Sequence, residues 1–302
     1  MRRWVALSSL GLGLLCLAFI LFPQARFWLI DTFLPSPPPP PPRETLPPSP
    51  HPRLLRVGVG AMISPDRTWL SYRKLFQEVA RTLGRELGFV QRKTYEEMNR
   101  LLATGQVELA WICTGAWPQL REQRAARLLV VPQVRGKTTY RGYLVVSPQL
   151  RGAHLSQLAG LVIAYSDPLS LTGYRLPRQF FQQQGINPDT FFSRNFFTFS
   201  HDNSLEALRR NLAQVAGVDA LVFDYLAEHF PENVAGIDIL WHSPELPIPP
   251  LAVAAAVPNQ EVERLRQVFL AIHQTEEGKN ILQELGIDQF VLPDEKAYQQ
   301  LP

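Results

Sequence analysis

Apolar and polar residues follow two rhythms along this chain, and the switches between them lay out the elements. Leu54-Leu55-Arg56-Val57-Gly58-Val59 has the length and apolar content of a strand. Leu75, Phe76, Val79, Ala80, Leu83 and Leu87 then recur at helical spacing and predict a helix over 72–87, stopped by Gly88. Phe89 to Arg92 reads as a second strand. Thr94 is placed to cap a helix over 95–103, with Glu97 three residues on as its capping-box partner and Gly105 as its end. Residues 107–113 predict a third strand, giving a β-α-β-α-β run, the pattern of a sheet covered by helices.

Strands at 128–131 and 142–146 follow, and then a second α/β run. Its strands are predicted at 161–165, 195–199, 218–223 and 237–241, its helices at 172–184, 204–215 and 224–230. The proline-rich passage Ser243–Pro250 leads to a strand at 251–257 and closing helices at 261–276 and 278–285. Two such runs, joined near Ser147 and again within Ser243–Pro250, predict a two-lobed α/β body with two hinge crossings. Residues 53–146 and 248–302 form lobe 1 in this reading, and residues 147–247 form lobe 2. One continuous doubly wound sheet is the competing reading. A two-lobed body leaves a cleft at the hinge, a common place for ligands.

The N-terminal residues have a different character. Met1-Arg2-Arg3 precedes an apolar run to Phe22, about the shortest that spans a bilayer. Charge at its front and none inside is the layout of a signal anchor. Lacking a small-x-small cleavage site near the end of the run, residues 1–34 are expected to be a retained transmembrane anchor. Pro35 to Pro52, unbroken from Pro37 to Pro42, predicts an extended polyproline II linker. A ligand for another protein's groove is the alternative reading of that tract. These features place the body outside the cytoplasm, tethered to the cell membrane.

Composition removes several classes of function. The 302 residues carry a formal net charge of only +3, with no basic stripe interleaved with aromatics, so nucleic acid is not an expected partner. Of the two cysteines, Cys16 falls in the anchor and Cys113 in the body, which leaves no disulfide framework and no multi-cysteine metal site. Val57-Gly58-Val59-Gly60-Ala61 lacks the third glycine of a dinucleotide turn, and no nucleophile elbow, P-loop or His-Glu-x-x-His occurs. Neither an enzyme, a cofactor nor a metal is expected. Cys113 reads as a packing residue.

The chemistry-bearing stretch is Asp167-Pro168-Leu169-Ser170-Leu171-Thr172-Gly173, directly after the apolar run Leu161–Tyr165. A strand, a turn with two hydroxyls and a glycine, and then a helix aim hydroxyls and amides at one point, at the positive end of a helix dipole. Such a turn can hold an oxyanion. The same hydroxyls also suit plain helix capping. His201 sits between a strand and a helix beside Asp202 and Asn203, as a donor to an anion or as an exposed neighbour of a cap. Asp219 reads as a turn residue.

Several further segments recur in order: Gly105–Ala110, Thr114-Gly115-Ala116-Trp117, Tyr140–Val146, Ser200-His201-Asp202, Gly217–Ala220 and Ser243–Pro249. With the hydroxyl turn they make the body, over most of 56–286, resemble the periplasmic substrate-binding proteins of phosphonate, phosphite and phosphate ABC transporters. The resemblance implies a small tetrahedral oxyanion as ligand and an ABC permease as partner. It implies that Ser170, Thr172 and Gly173 hold oxygens from one lobe, while Tyr95 and Thr114 close from the other. His201 adds a donor and Tyr140 flanks the ligand near the hinge. Asp224 is the candidate for the acidic residue that meets an ammonium group in aminophosphonate-binding members. One departure stands out: Leu171 replaces the middle of the family's three hydroxyl residues. With a retained anchor and a stiff stalk, a membrane-anchored sensing module signalling to a membrane partner is the alternative.

Overall fold

The structure, a computed structural model, describes residues 54–62 and 65–301. The expected anchor and proline-rich linker lie outside the described residues. Among the described residues no helix is long and apolar enough to cross a membrane.

The strands are β1 (Leu54–Gly60), β2 (Glu86–Arg92), β3 (Leu109–Trp111), β4 (Ala126–Gln133), β5 (Thr139–Tyr140), β6 (Gly142–Val146), β7 (Val162–Tyr165), β8 (Arg194–Phe197), β9 (Val215–Asp219), β10 (Asp238–His242), β11 (Leu246–Pro247), β12 (Leu251–Ala254) and β13 (Gln289–Val291). The α-helices are α1 (Pro65–Thr82), α2 (Tyr95–Ala103), α3 (Trp117–Glu122), α4 (Leu176–Gln183), α5 (Pro188–Phe191), α6 (His201–Arg209), α7 (Ala220–His229), α8 (Asn259–Ala271), α9 (Glu276–Glu284) and α10 (Glu295–Gln299).

Two sheets organise the body. The first has the order β13-β4-β12-β3-β1-β2, with β1 parallel to β2 and β3, and β12 antiparallel between β3 and β4. The second has the order β10-β6-β9-β7-β8, with β7 parallel to β8 and β9, and β6 antiparallel to β9 and β10. The parallel trio β2-β1-β3 of one sheet thus matches the trio β8-β7-β9 of the other. The strand beside each trio is the one that has just crossed from the other lobe: β12 in the first sheet, β6 in the second. The crossings themselves, β5 and β11, pair as a two-stranded antiparallel ladder.

Burial explains why these runs became strands. Both faces of the second sheet are covered, and successive residues alternate between two cores. Leu144, Val146, Ile163, Tyr165 and Val215 join Phe181 of α4 on one face. Val145, Ala164, Ala216 and Val218 join Leu205 and Leu208 of α6 and Val222 and Leu226 of α7 on the other. In the first lobe, Val57, Leu109, Val130 and Val253 share one core with Phe76 of α1 and Phe269 of α8.

Some boundaries differ from the sequence reading. β6 pairs with β9 and β10. The chain therefore changes sheets at Thr139–Arg141, before β6 and not after it. The predicted strand at 218–223 is β9 at Val215–Asp219 followed by α7. Asp219 makes the break, because its side chain accepts from the Leu221 amide and caps the helix. The helix predicted at 204–215 starts at His201 and ends at Arg209. The capping box of Thr94 and Glu97 forms as the sequence implies.

Candidate ligand-binding site

The loops at the carboxyl ends of the two parallel trios meet each other, the place where open α/β sheets bind ligands. Lobe 1 contributes Ala61-Met62 after β1, Thr94-Tyr95 after β2 and Cys113–Ala116 after β3. Lobe 2 contributes Ser166–Gly173 after β7, Thr198–His201 after β8 and Asp219 at the end of β9.

Two reciprocal hydrogen bonds cross this seam. Tyr95 is the first residue of α2 and His201 the first of α6, positions whose N–H has no partner within its own helix. The Tyr95 amide donates to Asp167 Oδ2 of lobe 2 at 3.1 Å. The His201 amide donates to the Met62 carbonyl of lobe 1 at 3.0 Å. Asp167 Oδ1 also accepts from the Leu169 amide at 2.8 Å, which fixes the turn. Gly115 touches the same turn: a Cβ built on it lies 2.3 Å from the Leu169 carbonyl and 2.5 Å from the Leu171 nitrogen. At the rim, Lys93 Nζ stands 4.5 Å from the centre of the Phe199 ring.

The hydroxyl turn is wider than an α-helix start. Arg175 N–H bonds back to the Ser170 carbonyl and Leu176 N–H to the Leu171 carbonyl, so Leu171–Arg175 is a π turn leading into α4. Ser170 Oγ accepts from the Gly173 amide at 2.9 Å, so that amide is engaged within the turn. Thr172 is fully buried and its Oγ1 has no partner in the protein. Gly173 is a point of close approach: a Cβ there falls 1.9 Å from Ser166 Oγ and 2.8 Å from His201 Cε1. Leu171 faces the other way. It is 1 % exposed, belongs to the lobe 1 core, and its amide points at the Cys113 sulfur.

His201 is fully buried. Its Nδ1 accepts from the Asp219 amide at 3.1 Å. An amide can only donate, so the neutral ring carries its proton on Nε2, and that atom has no partner in the protein. Burial pushes the pKa of this imidazole down to about 3, so it is a neutral donor. Tyr95 and Tyr140 are likewise buried with unpartnered hydroxyls, each held protonated by burial. The Tyr140 hydroxyl lies beside those of Thr172 and Thr114 without hydrogen-bond geometry. Thr114 donates instead to the Pro247 carbonyl in the hinge at 2.9 Å.

Five buried polar atoms without a partner therefore gather at the seam: Tyr95 Oη, Tyr140 Oη, Ser166 Oγ, Thr172 Oγ1 and His201 Nε2. Leaving such atoms unsatisfied costs about 1–3 kcal/mol each, so their concentration at one place makes it the candidate site. Ser166 is absent from the sequence reading. It falls between the apolar run that ends at Tyr165 and the turn that starts at Asp167, and it is brought in by its closeness to Gly173 and His201 across the turn. Asp219 stands at the edge of this nest with its carboxyl pushed up to about 7 by burial, its bonds to the Leu221 and Val222 amides pulling the other way. Asp224 is not one of the five; it is half-buried on α7, with the Tyr143 hydroxyl 3.4 Å away, and lines the same cleft as Tyr140 and Asp219. Burial raises its carboxyl above the usual range. No cluster of three or more His, Cys, Asp or Glu side chains suited to a metal occurs among the described residues.

Beside the nest, on the hinge side, a cleft of about 1150 Å³ opens between the lobes. Met62, Tyr140 and Asp219 line it and also border the nest.

Two sheets of matched order, joined by paired crossings and closing loop to loop on a buried polar nest, define a two-lobed solute-binding protein. The chain matches the family model described as ABC transporter, phosphonate, periplasmic substrate-binding protein over residues 57–298, and it belongs to that family. The family is extracytoplasmic and serves solute binding, with a small-molecule ligand and an ABC permease as partners. The fold is shared with PhnD1 of Prochlorococcus marinus, solved in complex with methylphosphonate. That match has TM-score 0.75 and 17% identity, and covers 82% of this chain and 96% of that one. It is shared also with a binding-protein component of a Pseudomonas aeruginosa phosphonate ABC transporter (TM-score 0.73, 19% identity, 78% and 80% coverage). A Xanthomonas citri protein bound to ATP has the same fold, at TM-score 0.65 and 19% identity, covering 82% of this chain and 95% of that one.

Proposed function

We propose that this protein binds a tetrahedral oxyanion, a phosphonate, phosphite or phosphate group, in the nest at the seam and delivers its ligand to an ABC permease. The observation that supports this reading is the set of five unpartnered buried atoms, all able to donate. Four are hydroxyls, which can serve either polarity, but His201 Nε2 is fixed as a donor by the Asp219 amide on its other nitrogen. A guest that accepts hydrogen bonds on several oxygens satisfies them together. Tyr95 reaches it from lobe 1, Thr172, Ser166 and His201 from lobe 2, and Tyr140 from the hinge. Ser170 shapes the turn by capping Gly173 and keeps its own hydroxyl proton to give. Thr114 acts through the hinge, and Gly173 provides the close approach that lets Ser166 and His201 face the same point.

The test is a thermal-shift panel on the full chain with phosphate, phosphite, methylphosphonate, sulfate and an uncharged control. A ligand that binds only the folded state raises its transition. At least one phosphorus oxyanion is expected to do so. Thr172→Val, which keeps the shape and removes the donor, is expected to weaken that ligand about tenfold, in line with one hydrogen bond to a charged group. No response to any oxyanion at millimolar concentration refutes the proposal.

A further inference from the structure

We infer that the ligand carries a bulky, partly aromatic organic substituent on its oxyanion head: an organic phosphonate or phosphate monoester with the head in the nest and the substituent in the adjoining cleft. The inference rests on the oxyanion reading above and goes further, to the size and character of the rest of the molecule.

Volume is the first argument. A free tetrahedral oxyanion fills roughly the space of two waters, about 60 Å³. The cleft beside the nest is about 1150 Å³. That exceeds the roughly 300–1,000 Å³ of pockets that take drug-sized ligands, and leaves room for far more than a bare oxyanion.

Continuity is the second. Tyr140 offers its hydroxyl to the nest while its body lines the cleft, and Met62 and Asp219 border both. Asp219 holds His201 with its amide on the nest side. Asp219 also lines the cleft, together with Tyr72 and Tyr225. A substituent leaving the nest past Tyr140 and Asp219 therefore arrives between Tyr72 of α1 and Tyr225 of α7.

The character of the walls is the third argument. Tyr72 and Trp111 meet edge to face at 5.0 Å on the lobe 1 side. Tyr143 and Tyr225 stand on the lobe 2 side, the latter stacked on His229 at 4.4 Å. Four aromatic side chains from both lobes make a wall suited to a flat ring held between them. Arg135 pairs with Glu228 at 2.6 Å and Lys137 with Glu245 at 2.8 Å on this lining, while Asp219 and Asp224 also face the cleft. The aromatic surface is the element that tells an aryl substituent from a methyl group.

The experiment is isothermal titration of the full chain with phosphate, methylphosphonate, phenylphosphonate and 1-naphthyl phosphate, repeated on Tyr225→Ala. Tyr225 lies on the cleft wall and takes no part in the nest. Both aryl probes are expected to bind at least tenfold more tightly than methylphosphonate. Tyr225→Ala is expected to erase most of that advantage while leaving phosphate and methylphosphonate unchanged. Aryl probes no tighter than methylphosphonate, or an advantage that survives Tyr225→Ala, overturn the inference and leave the oxyanion reading standing. Silence from all four probes removes both.

Discussion

Gly115→Ala is expected to prop the two lobes apart without unfolding either. The new methyl carbon falls 2.3 Å from the Leu169 carbonyl, where ordinary contact begins near 3.4 Å, so the facing surfaces must part by about 1 Å. Both partners are backbone and neither can swing aside. That separation breaks the Tyr95–Asp167 bond of 3.1 Å and the His201–Met62 bond of 3.0 Å. The first involves a carboxylate and contributes about 1.5–3 kcal/mol, and the second about 0.5–1.5 kcal/mol. Closure is thus weakened by about 2–4 kcal/mol, or roughly 30- to 1000-fold. Amide hydrogen exchange reads this directly, because the two N–H groups open each helix and draw their only protection from across the seam. Both are expected to lose that factor of protection, while the amides of β1 and β7 keep theirs. Wild-type protection at Tyr95 and His201 refutes the reasoning. A uniform loss across both sheets also refutes it, because Gly115 then serves folding and not closure.

Titration offers a second check. Between about pH 4 and 7 the folded chain holds a proton on Asp219 that the unfolded chain has released, so this group makes stability fall as pH rises. His201, held down to about 3, refuses a proton that the unfolded chain takes below about 6.5, so its contribution is lost as pH falls. The two slopes oppose each other, and Asp219→Asn, which keeps a cap acceptor, is expected to unmask the histidine: the urea midpoint then climbs with pH up to about 6.5, and an unchanged profile rules this out. Gly173→Ala places a methyl 1.9 Å from Ser166 Oγ and is expected to weaken phosphate binding at least tenfold with an unaltered circular dichroism spectrum; unchanged affinity by titration contradicts the nest. Leu171→Ser removes a buried apolar side chain from the lobe 1 core and is expected to lower the midpoint of thermal unfolding, at a cost of about 1.5–3 kcal/mol; a midpoint unchanged from wild type shows that the leucine does not bind the lobes together.

Local features were readable in the sequence and non-local ones were not. The Thr94–Glu97 capping box and the strand before Ser166 follow from residues within one turn of each other. The place of β9 was missed because Val215 to Phe223 is apolar almost throughout, and a short buried strand has no period to separate it from a buried helix. Only Asp219 breaks the run, and a lone aspartate there fits a turn as well as a helix cap. Ser200, not Asp202 or Asn203, caps α6, and this turns His201 inward as the first helical residue. The place of Ser166 in the nest depends on Gly173 and His201, which no spacing along the chain connects. The assignment of β6 to the second sheet depends on its pairing with β9, where Gly142 meets Asp219 and Val146 meets Val215 from far along the chain.

All five donors at the seam belong to side chains without net charge, with His201 kept neutral by burial. Attraction between full charges fades in brine, whereas short contacts from fixed dipoles to an enclosed ion are hardly touched by dissolved salt. An oxyanion held there as proposed is therefore expected to keep its affinity from rainwater to seawater, sorted by outline and bound protons rather than by coulombs.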